Sequence, residues 1–141
     1  MSDLLSRDLK ERMLINGQDH LDGNDVDRMP VVKLFTPFGR ATWILTELNP
    51  MDPDIAFGLC DLGFGSPELG YVSIFEMESV IRFGMPAIEI DKHFTPEDPL
   101  SVYAEAARLA GRITEDPNLL KRAAVNCLMR LSDKKLPKPD R

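Results

Sequence analysis

The sequence predicts an α+β fold: a small antiparallel sheet of four to five strands, with one helix before it and helices after it. Three observations carry this expectation. Apolar residues near the N-terminus recur at helical spacing, with Leu4, Leu5, Leu9, Met13 and Ile15 set among Arg7, Asp8, Lys10, Glu11 and Arg12. Between Val31 and Ser73 lie four short β-rich segments, joined by connections too short to hold the crossover helices of a parallel sheet. The last forty residues return to helical patterns, one alanine-rich and one striped with leucine.

Taken in order, Asp3 to about Ile15 reads as the first helix, with Asn16-Gly17 as its stop because both residues tolerate a left-handed backbone. Gln18 to Arg28 is polar and acidic and reads as a loop. V-V-K-L-F and A-T-W-I-L-T-E-L flank T-P-F-G, whose Pro37 and Gly39 suit a tight turn, so the pair reads as a hairpin. N-P-M-D-P-D breaks the chain before I-A-F-G-L-C-D-L, and E-L-G-Y-V-S-I is the fourth strand. I-F-E-M-E-S-V-I-R reads as a short helix stopped by Gly84 and Pro86, and A-I-E-I-D as a fifth, edge strand. Ser101 is the expected cap of the alanine-rich helix, which buries Val102, Ala106 and Leu109. Asp116 and Pro117 open the final helix, with Leu120, Ala124, Cys127, Leu128 and Leu131 as its packing stripe.

At 141 residues the chain fits one domain, expected over 1–132, with 133–141 as a flexible basic tail of prolines and charges. Hydrophobic content of 43% and charged content of 28% are those of an ordinary globular protein, and no apolar run is long enough to span a bilayer. The N-terminus lacks the apolar block of a secretory signal, and Cys60 and Cys127 belong to no C-x-x-C, so a cytoplasmic protein with two buried thiols is expected. The net charge of −6 is unevenly spread. Residues 1–100 hold 8 Lys/Arg against 18 Asp/Glu, a balance of −10, and residues 101–141 hold 9 against 5, a balance of +4. An acidic body repels a phosphate backbone, which argues against a broad nucleic-acid surface; the basic tail offers a contact for nucleic acid or an acidic partner, against the favoured plain reading of a solvated helix end.

Each candidate site in the sequence competes with a plain structural role. G-L-C-D-L-G-F-G-S-P-E-L-G-Y has the glycine density of a phosphate-binding loop. However, Glu68 stands where a dinucleotide fingerprint needs its third glycine, a strand follows instead of a helix, and there is no P-loop lysine; the glycines read as turn formers. Asp19, Asp22, Asn24, Asp25 and Asp27 imitate a calcium loop, yet with Asp19 at position one, Leu21 falls at three and Pro30 at twelve. Trp43 and Tyr71, with Phe35 and Phe57, form either a platform for bases or a peptide, or cross-strand core pairs. Strict alternation puts Trp43 with Ala41, Leu45 and Glu47, and Leu48 with Thr42, Ile44 and Thr46, so neither face is cleanly apolar. Asp91 and His93 would share one side of an extended strand near Glu97 and Asp98, the best local cluster for a metal or an acid–base pair, but it lacks a second histidine or a cysteine. Cys60 in an apolar strand reads as inert packing, and no serine sits in G-x-S-x-G. No cofactor is expected, and no catalytic residue stands out.

Four blocks in this order, K-L-F-T-P-F-G-R-A-T-W-I-L-T-E-L, F-G-L-C-D-L-G, E-L-G-Y-V-S-I-F-E-M-E and D-K-H-F-T-P, resemble domain-of-unknown-function family 2958 over roughly Leu4 to Leu109. The resemblance implies a short bacterial protein of plasmids and other mobile elements, sometimes encoded near anti-restriction or DNA-processing genes. It implies no catalytic residues. The leading expectation is a non-catalytic accessory protein that binds a protein partner, with a nucleic-acid-processing enzyme among the candidates. A metal-dependent hydrolase built on Asp91 and His93, and a single-stranded nucleic-acid binder using sheet aromatics and the basic tail, are the alternatives.

Overall fold

A computed structural model describes residues 3–135. Helix α1 spans Arg7–Leu21, and Ser6 caps it by accepting the N–H of Leu9 at 3.3 Å. The helix runs straight through Asn16-Gly17, the expected stop, and ends at Asp22 with Gly23 at φ +94°. The reason is tertiary. Gly17 lies against strand backbone so closely that a Cβ there would meet the Leu48 carbonyl oxygen at 1.8 Å, and the Asn16 amide donates to the Thr46 carbonyl at 2.9 Å. Both residues are docking chemistry, not termination chemistry.

Strands β1 (Val32–Phe35), β2 (Thr42–Asn49), β3 (Asp52–Asp61) and β4 (Glu68–Ser73) form the expected antiparallel meander. Helix α2 covers only Ile74–Ser79. The rest of the segment expected to be helical turns into a two-stranded hairpin, β5 (Ile81–Arg82) with β6 (Met85–Pro86). Strand β7 (Glu89–Ile90) pairs with β1 as the fifth strand, giving the order β4-β3-β2-β1-β7. Helices α3 (Leu100–Ala110) and α4 (Pro117–Lys135) complete the chain.

The sheet is covered on both faces. On one, Val32, Leu34, Trp43, Leu45, Leu48 and Ala56 pack with Leu5 and Met13 from the N-terminal segment and α1. On the other, Ile44 and Leu59 pack against Leu100, Tyr103, Ala106 and Ala107 of α3 and Leu120 and Ala123 of α4. A β-bulge between Leu45 and Glu47 resolves the mixed faces that strict alternation gave β2. The extra residue, Thr46, shifts the phase, so Leu48 joins Trp43 and Leu45 while Glu47 turns to the other face opposite Phe57.

The start of α3 is held from a distance. Pro99 occupies the cap position and Ser101 lies inside the helix. The missing cap comes from Asp27, whose carboxylate accepts the Ser101 N–H at 3.1 Å and the Ser101 hydroxyl, while the Arg28 carbonyl accepts the Leu100 N–H at 2.9 Å. In α4, Asp116 accepts the Asn118 N–H at 2.9 Å as the expected cap. Its packing face holds Leu120, Ala124 and Cys127 of the expected stripe and adds the buried Ala123, whereas Leu128 and Leu131 are exposed. The tail expected over 133–141 begins inside α4, and 136–141 lie outside the described residues.

Candidate interaction surface

The residues singled out in the sequence do not converge. Trp43 is buried in the core beneath α1, at 6% exposure. Tyr71 sits on the opposite face of the edge strand β4, exposed and tilted against Phe57 with ring centroids 5.1 Å apart. There it flanks a groove of about 220 Å³ that also takes in His20, Leu21 and Pro50. Trp43 and Tyr71 therefore present no common platform. Asp91 and His93 lie past the end of β7, and the backbone turns between them because the Asp91 carboxylate accepts the His93 N–H at 2.9 Å. The same carboxylate faces Lys33 at 3.6 Å. The extended geometry expected of Asp91 and His93 is thus absent, and among the described residues no group of three or more His, Cys, Asp or Glu is placed to hold a metal ion.

The acidic stretch before β1 is organised by an arginine. Arg28, whose side chain is only 9% exposed, bonds Asp19 at 2.9 Å and the Asn24 carbonyl at 2.8 Å. The Asn24 amide and the Arg28 guanidinium hold the Asp19 carboxyl below its ordinary range. These groups cross-link the loop to α1. Burial pushes the Cys60 thiol above its usual value, consistent with packing rather than reactivity.

The surface that sequence reading missed lies at one end of the sheet. Three connections meet there: the β1–β2 turn with Phe38, the β3–β4 loop with Leu62, and the β5–β6 hairpin with Ile81 at its base. The hairpin carries Ile81, Phe83 and Met85, all more than half exposed, and Phe38 stands edge-on to Phe83 with centroids 6.0 Å apart. Arg82 clamps the two connections by donating to the Phe38 carbonyl at 2.7 Å, and its guanidinium lies 5.1 Å from the Phe83 ring centroid. A shallow groove of about 290 Å³ runs between them.

Phe83 is the one non-glycine residue with positive φ among the described residues, at +54°, followed by Gly84 at +74°. A two-residue hairpin loop of this hand favours Asn-Gly, and a bulky aromatic in its first position is an outlier. Only the sequence Arg-Phe-Gly-Met-Pro, read as a Gly-containing hairpin loop instead of a helix stop, would have revealed it.

The fold and this surface together define an α+β domain: a five-stranded antiparallel sheet between helices, with an aromatic hairpin projecting from one end. Among the described residues no helix is long and apolar enough to cross a membrane. The chain belongs to the family described as protein of unknown function DUF2958, whose model matches residues 4–114. That span takes in the sheet, the hairpin and α3, and stops short of α4. No curated protein and no solved structure matches the chain.

Proposed function

We propose that the protein is a non-catalytic interaction module, an accessory factor of a bacterial mobile element, that docks on a protein partner through the aromatic hairpin. The observation that carries this reading is Phe83. An exposed phenylalanine holds the backbone position that asparagine would fill at lower energy, and its ring gains little burial in return. Around it, Phe38, Ile81 and Met85 extend the apolar surface across two connections, as the centre of a protein-binding patch does. The acidic balance of residues 1–100 suits a partner with a basic rim, and a DNA-binding enzyme whose site is occluded fits that description.

The test separates stability from binding. Phe83→Asn is expected to leave stability unchanged or raise it by up to about 1 kcal/mol, because asparagine relieves the left-handed strain. Combined with Phe38→Ala, it is expected to abolish capture of a partner that the wild-type chain retains from extracts of the native host. Equal recovery by the folded double variant would remove this surface from the function. Recovery of partners that are neither basic nor involved in DNA processing would remove the occlusion reading and leave the docking surface standing.

A further inference from the structure

A cleft of about 550 Å³ opens between the β3–β4 loop and the exit of α3, lined by Arg40, Thr42, Gly63, Gly65, Gly111 and Arg112 over a floor of Asp61. We propose that it binds a small ligand through a phosphate group, with Arg40 and Arg112 as its two cationic contacts. Both arginines are exposed, and neither forms an ion pair among the described residues, in contrast to Arg28, Arg108 and Arg130. Two guanidiniums that share a concave site and lack acidic partners are arranged for a multivalent oxyanion, which each can bond in a bidentate manner.

The backbone around them is fixed in a way that keeps the cleft open. Gly63 and Gly65 both have positive φ, at +89° and +86°, and Gly111 closes α3 at +77°. A Cβ on Gly63 would meet the Arg40 Cβ at 2.6 Å, so the stem of Arg40 lies along the loop only because that residue is glycine. Asp61, 3% exposed, accepts the Gly63 N–H at 2.8 Å and the Ile113 N–H at 3.0 Å, tying the two walls together. Its two oxygens each accept a backbone N–H, and its single charge leaves the two arginines in excess. Thr42 adds a hydroxyl.

The size and the charge of the molecule select the ligand class. The volume falls in the range of small-molecule sites, about 300–1,000 Å³. A polynucleotide would bring many phosphates against a body with a balance of −10, whereas a compact phosphomonoester or diphosphate meets mainly the local field of the cleft. Arg40 also borders the hairpin groove, so the cleft and the docking surface adjoin, but the cleft is tested without any partner.

The experiment is a titration of the isotopically labelled full chain with inorganic pyrophosphate, followed by amide NMR. Saturable shifts are expected at Gly63, Gly65, Gly111 and Ile113. Arg40→Ala and Arg112→Ala are each expected to weaken binding about ten-fold or more, the loss typical of a charged hydrogen-bonding group. The charge-matched single variants Arg12→Ala and Arg122→Ala should each leave it within about two-fold, since those side chains lie outside the cleft. Thermal melts establish that all variants fold. Absence of saturation overturns the proposal, as does an equal loss in the charge-matched controls. Tighter binding of a single-stranded oligonucleotide through the same amides would overturn the small-ligand assignment.

Discussion

Replacing Gly58 by alanine is expected to cost about 4 kcal/mol or more, a large share of the stability of a domain this size. A Cβ at this position would stand 2.1 Å from the Ile44 carbonyl oxygen, 2.7 Å from the Leu45 Cα and 2.9 Å from the Ile44 carbonyl carbon. All three are backbone atoms of a central strand, so no side chain can swing aside, and relief requires the strands to separate. Gly58 pairs with Leu45 where the β2 register slips, and the bulge draws the neighbouring backbone onto it. Separating the strands there would also disturb the phase that places Leu48, at 2% exposure, beside Trp43. Gly70 sits opposite Gly58 on β4, and a Cβ there meets nothing within 4 Å. Gly70→Ala should therefore change stability by about 1 kcal/mol at most. Denaturant midpoints of the two variants check this, and similar values for both would show that the bulge is not tightly packed.

The second large effect is expected at Glu105. Its side chain is 2% exposed on α3, and the carboxylate accepts Arg108 Nε at 2.9 Å, Arg108 Nη2 at 2.8 Å and Asn126 Nδ2 at 2.9 Å. Arg130 Nη2 of α4 closes the network at 3.0 Å. The Arg108 hydrogen bonds, followed by those of Asn126 and Arg130, outweigh burial and hold the Glu105 carboxyl down to about 2. The carboxylate joins the two helices, so Glu105→Ala leaves four donor nitrogens on three side chains without their acceptor. A loss of about 2–3 kcal/mol is expected, below the usual range for breaking a buried pair because Arg108 and Arg130 are each more than half exposed and screened by solvent.

The direction with pH follows from the depressed value. The stabilisation is fully present above the ordinary glutamate range and is lost as pH falls from about 4.5 toward about 2. Wild-type stability should fall more steeply through that window than that of Glu105→Gln. Parallel slopes for the two proteins would mean that the network does not distinguish the folded state.

The meander, its first tight turn and the Asp116 cap were legible because each rests on residues close together in the chain, and the edge strand because A-I-E-I-D alternates on its own, although it pairs with the distant β1. Thr36 to Ala41 closes through local bonds, and the turn chemistry that shapes it is written in T-P-F-G. What was not legible depends on partners far away. Asn16-Gly17 looks like a helix stop until Leu48 and Thr46 are brought against it. Ser101 looks like a cap until Asp27 arrives to serve as one. The bulge at Thr46 defeats any period-2 reading of β2, since one extra residue reverses every later side chain. The candidate surface was hidden for a related reason: V-I-R-F-G-M-P continues the apolar spacing of α2, and the Val80 carbonyl is claimed instead by Ala87 across the hairpin. The glycine-dense stretch was read correctly as a turn, while the arginines that flank it, Arg40 and Arg112, are separated by 72 positions and converge only in the folded chain.

The bond from Asp27 to Ser101 spans 74 residues. A ribosome adds about 5–20 residues per second, so the serine is synthesised roughly 4–15 s after the aspartate that caps its helix. In the folded chain the acidic connection holds both α1, through Arg28 and Asp19, and α3, through Asp27, and α3 is the later of the two to be synthesised. Because α1 and β1 to β4 all precede α3 in the chain, the α3 side of the sheet is expected to close last. A pause in translation between the two positions would lengthen the life of a half-covered sheet, with Ile44 and Leu59 open to solvent or to a chaperone.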